Sequence, residues 1–138
     1  MRFAIVLGLL LASPYALPAQ ACGKTSAPED VVQAQVDAYN AHDIEAFALC
    51  YADDITIHDL SGRTPPVKGI PALKKDYAFL TTAPKAFRVE IVRRITSGRI
   101  VVDHERVLGL DKDKGAPEAI AIFEVKDGKI KNVWFPPD

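Results

Sequence analysis

Cysteine is scarce in this chain: there are two, Cys22 and Cys50. That excludes a disulfide-stapled miniature fold and a four-cysteine zinc centre. Histidine is nearly as scarce, with three residues and no H-x-x-x-H spacing. His42-Asp43, His58-Asp59 and Asp103-His104 are adjacent pairs, and neighbours on a strand face opposite ways. Such pairs cannot turn both side chains to one ion, so no metal site is expected. A G-x-S-x-G elbow and a glycine-rich phosphate loop are also missing, and no cofactor is expected. Neither sign of charge dominates: 17 Lys and Arg against 18 Asp and Glu give a net charge of −1. No basic surface for nucleic acid follows from that balance. After residue 12 there is no long hydrophobic run, so no membrane span is expected in the mature chain.

What is present begins with Arg2 and an apolar run over residues 3–12, broken by Ser13-Pro14. Ala19-Gln20-Ala21 is a small-x-small cleavage signal, and the whole has the layout of a secretory signal peptide. The run is about ten residues, too short to cross a bilayer. The expected organisation is a signal peptide at 1–21 cleaved after Ala21, a linker at 22–27, and one domain at 28–138. The mature chain is then secreted or periplasmic. Cleavage there makes Cys22 the first residue, as in lipid-anchored proteins. The residues before it lack the leucine of a lipobox, so ordinary processing is expected over a lipid anchor. Export makes a Cys22–Cys50 bond chemically feasible. Cys50 itself lies in an apolar helical stretch and reads as a small buried hydrophobe.

Within the domain, Ser26-x-x-Glu29 has the form of a capping box, and Pro28 suits a first helical turn. Val32, Val36 and Tyr39 then recur at helical spacing, predicting a helix over 28–41. Asp43 caps a second helix whose face carries Ile44, Phe47 and Tyr51, with Asp53-Asp54 as a turn. Residues 55–60 read as a strand. Gly69 and Pro71 open a third helix with Ile70, Leu73, Tyr77 and Leu80 on its apolar side. From Phe87 the period changes to two, predicting strands over 87–96, 100–110, 118–126 and 129–135, the last two joined at Asp127-Gly128. Helices first and a meander after is an α+β layout with helices on one face of a curved, mainly antiparallel sheet. A sheet curved over helices leaves a cavity suited to a small hydrophobic molecule.

One stretch carries a family resemblance: Tyr39-Asn-Ala-His-Asp43, Phe47, Tyr51-Ala-Asp-Asp54 and Asp59, followed by Gly69. It resembles the cone-shaped family of nuclear transport factor 2, the ketosteroid isomerases and the SnoaL-like polyketide cyclases. The likeness runs from about Glu29 to Pro136. It implies a SnoaL-like domain at 28–138 and a homodimer formed through the outer face of the sheet. Alternating Arg88, Glu90, Arg94 and Glu105 would suit such a contact. By the same resemblance Asp59 stands where ketosteroid isomerases keep the acid that moves a proton, and Gln35 stands where they keep a tyrosine. The second acid of that oxyanion hole has no counterpart on the strand carrying Ala119, Ala121 and Phe123.

Alternation puts Ile55, Ile57 and Asp59 on one face; if that face lines the cavity, Asp59 is a carboxyl in apolar surroundings with a raised pKa. Such a group serves as general acid or base, and the competing role is to pin the Ser61-Gly62 turn. His58 and His104 are secondary catalytic candidates, each also explained as a structural histidine. Gln35, Tyr39 and Tyr77 are the polar ligand contacts. Phe47, Tyr51, Ile57 and Phe123 are candidates for the apolar lining, and Trp134 for its floor or lid. Two functions remain open: a module that binds a small hydrophobic molecule, or a cofactor-free isomerase, cyclase or dehydratase working through Asp59.

Overall fold

The computed structural model describes Cys22 and residues 26–137; the expected signal peptide and its cleavage point lie outside the described residues. Helix α1 spans Pro28–Asn40 and buries Val31, Val32, Gln35, Val36 and Ala38 along one stripe. Its N-cap is Ala27, one residue beyond the expected Ser26, and the Ala27 side chain itself has no group to bond the first turn. Asn40 ends it in a specific way. Its amide accepts from Val89 N at 2.9 Å and donates to Val89 O at 3.0 Å, which imitates one rung of a sheet. His42 follows at φ 57° and reaches Phe87 O at 2.8 Å. The Asn-x-x-Asp break is thus a clamp between the helices and the edge of the sheet.

Helix α2 (Ile44–Leu49) starts on Asp43, whose side chain accepts from Ala46 N. It stops earlier than expected. Strand β1 spans Tyr51–Asp59, so Asp53-Asp54 is strand rather than turn. Its parallel pairing with β6 (Lys129–Phe135) skips from Tyr51–Ile130 to Thr56–Asn132, so Asp53-Asp54 lie in the irregular stretch between two paired ends. A two-residue strand β2 (Val67–Lys68) leads into α3 (Gly69–Asp76), and Gly69 takes φ 81°, where a side chain would be strained. Strands β3 (Arg88–Ser97), β4 (Ile100–Leu108) and β5 (Glu118–Lys126) complete one six-stranded sheet of order β2-β1-β6-β5-β4-β3. The β1–β6 pair is parallel and the rest antiparallel. The sheet is curved and open, not closed into a barrel.

Phe47, Ile55, Leu73, Ile130, Val101 and Val133 are each at most 1% exposed and form the layer between helices and sheet. Burying each such side chain contributes about 1.5–3 kcal/mol. Cys22 and Cys50 are joined in a disulfide with Cα atoms 5.0 Å apart, so Cys50 is a cross-link as well as the buried hydrophobe expected of it. The bond ties the start of the domain to the end of α2.

A bulge in β3 decides what faces the interior. Its pairing with β4 slips between Ile91 and Arg93, so that Arg94 lies opposite Asp103. The extra residue turns Arg94 inward and leaves Val92 and Ile95 on the outside, 40% and 59% exposed.

Candidate functional site

The concave side of the sheet and the helices enclose a cavity of about 140 Å3. Val89, Val107, Phe123, Val133 and Phe135 make its apolar wall. Five polar side chains reach it: Gln35 and Tyr39 from α1, Tyr51 from β1, Tyr77 just past α3, and Glu105 from the middle of β4. Glu105 faces inward because Val101, Asp103, Glu105 and Val107 share one side of β4, the first and second of them fully buried. Its cross-strand partners are Ile91 and Ala119, neither of which offers it a polar group.

The consequence is electrostatic. Burial pushes the Glu105 carboxyl up to about 7; the Asp103 charge adds to the rise and Arg94 opposes it. Burial also lifts the phenols, Tyr39 to about 12 and Tyr51 and Tyr77 upward too, with the Glu105 charge adding at all three. Around neutral pH the cavity therefore holds three neutral hydroxyls and one carboxyl poised between its two protonation states. Gln35 is 7% exposed, and its Oε1 has no hydrogen-bond partner among the described residues.

Beyond Glu105 on the same face, Asp103 is wholly buried and accepts two bonds from Arg94, Nε to Oδ1 and Nη2 to Oδ2, both 2.7 Å. Arg94 also donates to Gln33 Oε1 at 2.9 Å. The bidentate fork satisfies both carboxylate oxygens, which is what keeps a buried charge tolerable. Arg94 and Glu105 were expected on the outer sheet face; the β3 bulge and the phase of β4 put both inside.

Asp59 has the opposite surroundings from those expected. Its Oδ1 accepts from Ser61 N at 2.8 Å and from Ser61 Oγ, and its Oδ2 from Thr64 N at 3.1 Å and Thr64 Oγ1 at 3.0 Å. The Ser61 bonds, then those from Thr64, hold the carboxyl down to about 2, not up. It pins the loop after β1 at the rim of an outer cavity of about 290 Å3, which Ile57 also lines. Tyr77 and Phe135 line both the inner and the outer cavity and stand between them.

The remaining candidates separate cleanly. Tyr39, Tyr51, Tyr77, Gln35 and Phe123 meet in the inner cavity. Phe47 lies behind it in the core, its ring 4.9 Å from that of Tyr51 and 4.7 Å from that of Tyr77. Trp134 does not floor or lid the cavity. In β6 Val133 and Phe135 point inward, so Trp134 lies on the outer face, stacked on His58 at 5.7 Å. His58 also bonds Asn132 at 3.3 Å. His104 is outside as well, 2.6 Å from Glu118, which Arg106 shares. Neither histidine reaches the cavity carboxyl. Glu105 and Asp103 were the residues that sequence reasoning missed. The available signal was Val101 and Val107 bracketing them at even spacing, but Ile100 and Val102 made the other phase equally apolar.

A larger hollow, about 530 Å3, is an open cleft at the far end beside α2 and the β5–β6 hairpin. Its Lys74 and Lys131 are committed to Glu45 and Asp54. The smaller cavity differs in that Gln35, three tyrosine hydroxyls and the Glu105 carboxyl converge on it. Among the described residues no set of three His, Cys, Asp or Glu side chains is grouped to hold a metal ion.

A family model described as the SnoaL-like domain matches residues 32–133. Among solved structures, a candidate polyketide cyclase from Sinorhizobium meliloti superposes with a TM-score of 0.63 at 18% identity, covering 77% of this chain and 93% of its own. A candidate ketosteroid isomerase from Kribbella flavida gives 0.66 at 19% identity, covering 80% and 78%. A cystatin-fold protein from Novosphingobium aromaticivorans gives 0.67 at 22%, covering 79% and 97%. At these identities the likeness is one of fold. No curated protein matches the sequence significantly.

Proposed function

The chain belongs to the SnoaL-like family, and we propose that it acts, after export, by holding one small, mainly apolar molecule in the cone cavity. The observation that carries this reading is the enclosed, aromatic-lined cavity with Gln35 Oε1 buried in it and unpartnered. Export, with the signal peptide removed after Ala21, is supported by the Cys22–Cys50 disulfide, a bond suited to an oxidising compartment. With its sulfur in that bond, Cys22 has no thiol left for a lipid thioether, which favours the secreted or periplasmic form over an anchored one. Among the described residues no helix is long and apolar enough to cross a membrane. A second copy of the chain covers the outer sheet face in this reading; exposed Ile95, Val92 and Ile120 support an apolar contact there.

A second reading has a specific observation behind it. Glu105, poised at about 7 inside the cavity, is suited to move a proton as the general acid or base of a cofactor-free isomerase, cyclase or dehydratase. The Asp59 carboxyl, saturated with hydrogen bonds, is the poorer base. Native mass spectrometry of protein purified from its source tests the first reading: a retained small molecule is expected, and a bare chain under gentle conditions counts against it. Glu105→Gln assayed on enolisable ketones tests the second, since unchanged turnover would remove Glu105 as the proton carrier.

A further inference from the structure

We propose, resting on the cavity reading above, that the ligand is a compound of single-ring size carrying a hydroxyl head, as in a simple phenol or cyclic alcohol, seated with that hydroxyl against Gln35 and Glu105.

Size comes first. A dry cavity of about 150 Å3 accommodates one benzene ring. The inner cavity here is about 140 Å3, closed toward the mouth by Tyr77 and Phe135. Four fused rings would need the inner and outer cavities joined. The faces of Tyr39, Tyr51, Tyr77 and Phe123 suit a flat or compact apolar body.

The head group follows from which polar atoms lack partners. Gln35 is buried, and its Oε1, an acceptor, is unmatched among the described residues. Leaving a buried acceptor unpaired costs a factor of about ten to a hundred in an equilibrium. A hydrocarbon or a ketone brings no donor to it. An ammonium brings donors but cannot accept from the tyrosine hydroxyls, and it must be stripped of water to enter. A hydroxyl does both: it donates to the Gln35 amide oxygen or the Glu105 carboxylate, and it accepts from a neutral tyrosine.

The test is calorimetric titration of the mature chain, disulfide intact, with p-cresol, toluene, benzylamine and a tetracyclic steroid. We expect p-cresol to bind about tenfold more tightly than toluene. In Gln35→Met that preference shrinks towards one while toluene affinity holds. Should that variant not fold, the Gln35 side-chain amide resonance of the wild-type protein gives the same information, moving with p-cresol and not with toluene. Toluene matching p-cresol, or benzylamine surpassing it, overturns the hydroxyl head and leaves the cavity reading standing. A steroid that displaces p-cresol overturns the size limit. No binding by any probe overturns both.

Discussion

Two carboxyl groups mark the rim and the interior of the same cone. Asp59, at the rim, accepts four hydrogen bonds from Ser61 and Thr64 and is held down to about 2. Glu105, in the interior, is buried and sits beside another acid, and it rises to about 7. Donors around Asp59 favour its charged form; burial of Glu105 disfavours charge. Proton affinity here is a property of place: of these two acids, the interior one changes protonation near neutral pH and the rim one does not.

The strongest way to break this contrast is to remove the cation that makes the interior tolerable. Arg94→Met leaves Asp103 buried and unpaired, and should cost about 3–5 kcal/mol of unfolding free energy by urea titration. The double variant Arg94→Met/Asp103→Leu should recover most of it. A loss below about 1 kcal/mol would mean the interior is wetter than the packing implies.

Glu105→Gln sharpens the contrast with a smaller effect. Because the folded carboxyl holds its proton up to about 7 against an ordinary 4.5, the folded state binds more protons between those values. Its stabilising share is complete below about 4.5 and lost as pH rises through 7, about 3 kcal/mol in all. Glu105→Gln should flatten that slope and be the more stable protein at pH 8, by denaturant titration across pH. A parallel slope in both proteins would assign it elsewhere.

The smallest effect belongs to the rim. Asp59 is depressed, so its contribution is present above the ordinary 3.8 and fades as pH falls through about 2. Asp59→Asn should lower the melting temperature at pH 7 slightly, leave the slope between pH 4.5 and 7 untouched, and leave cavity binding intact. Lost binding in that variant would move the site toward the rim.

Much of the fold is readable along the chain because its signals are local. Asp43 caps α2 as its residue type demands, Asp127-Gly128 turns the last hairpin, and β5 and β6 occupy the residues that period-two alternation marks. Asp53-Asp54 misleads because two acids favour a turn, while pairing with β6 on both sides of them, at Tyr51 and from Thr56 on, carries the strand through. Of the site, Gln35, Tyr39, Tyr51, Tyr77 and Phe123 were recognisable as cavity residues. Trp134, expected at the floor or lid, lies on the outer face instead, since a large aromatic packs equally well on either face of a strand.

The sequence by itself determined the α+β order, the SnoaL-like signature and the aromatic stock of the cavity, since these depend on local spacing and residue type. Tertiary structure alone decided which acid faces the inner cavity. A one-residue bulge in β3 and the phase of β4 turned Arg94, Asp103 and Glu105 inward, and a single-residue shift moves a side chain from solvent to core. No local signal in the chain records that choice; it is made by burial against the helices and by the salt bridge that forms across two strands.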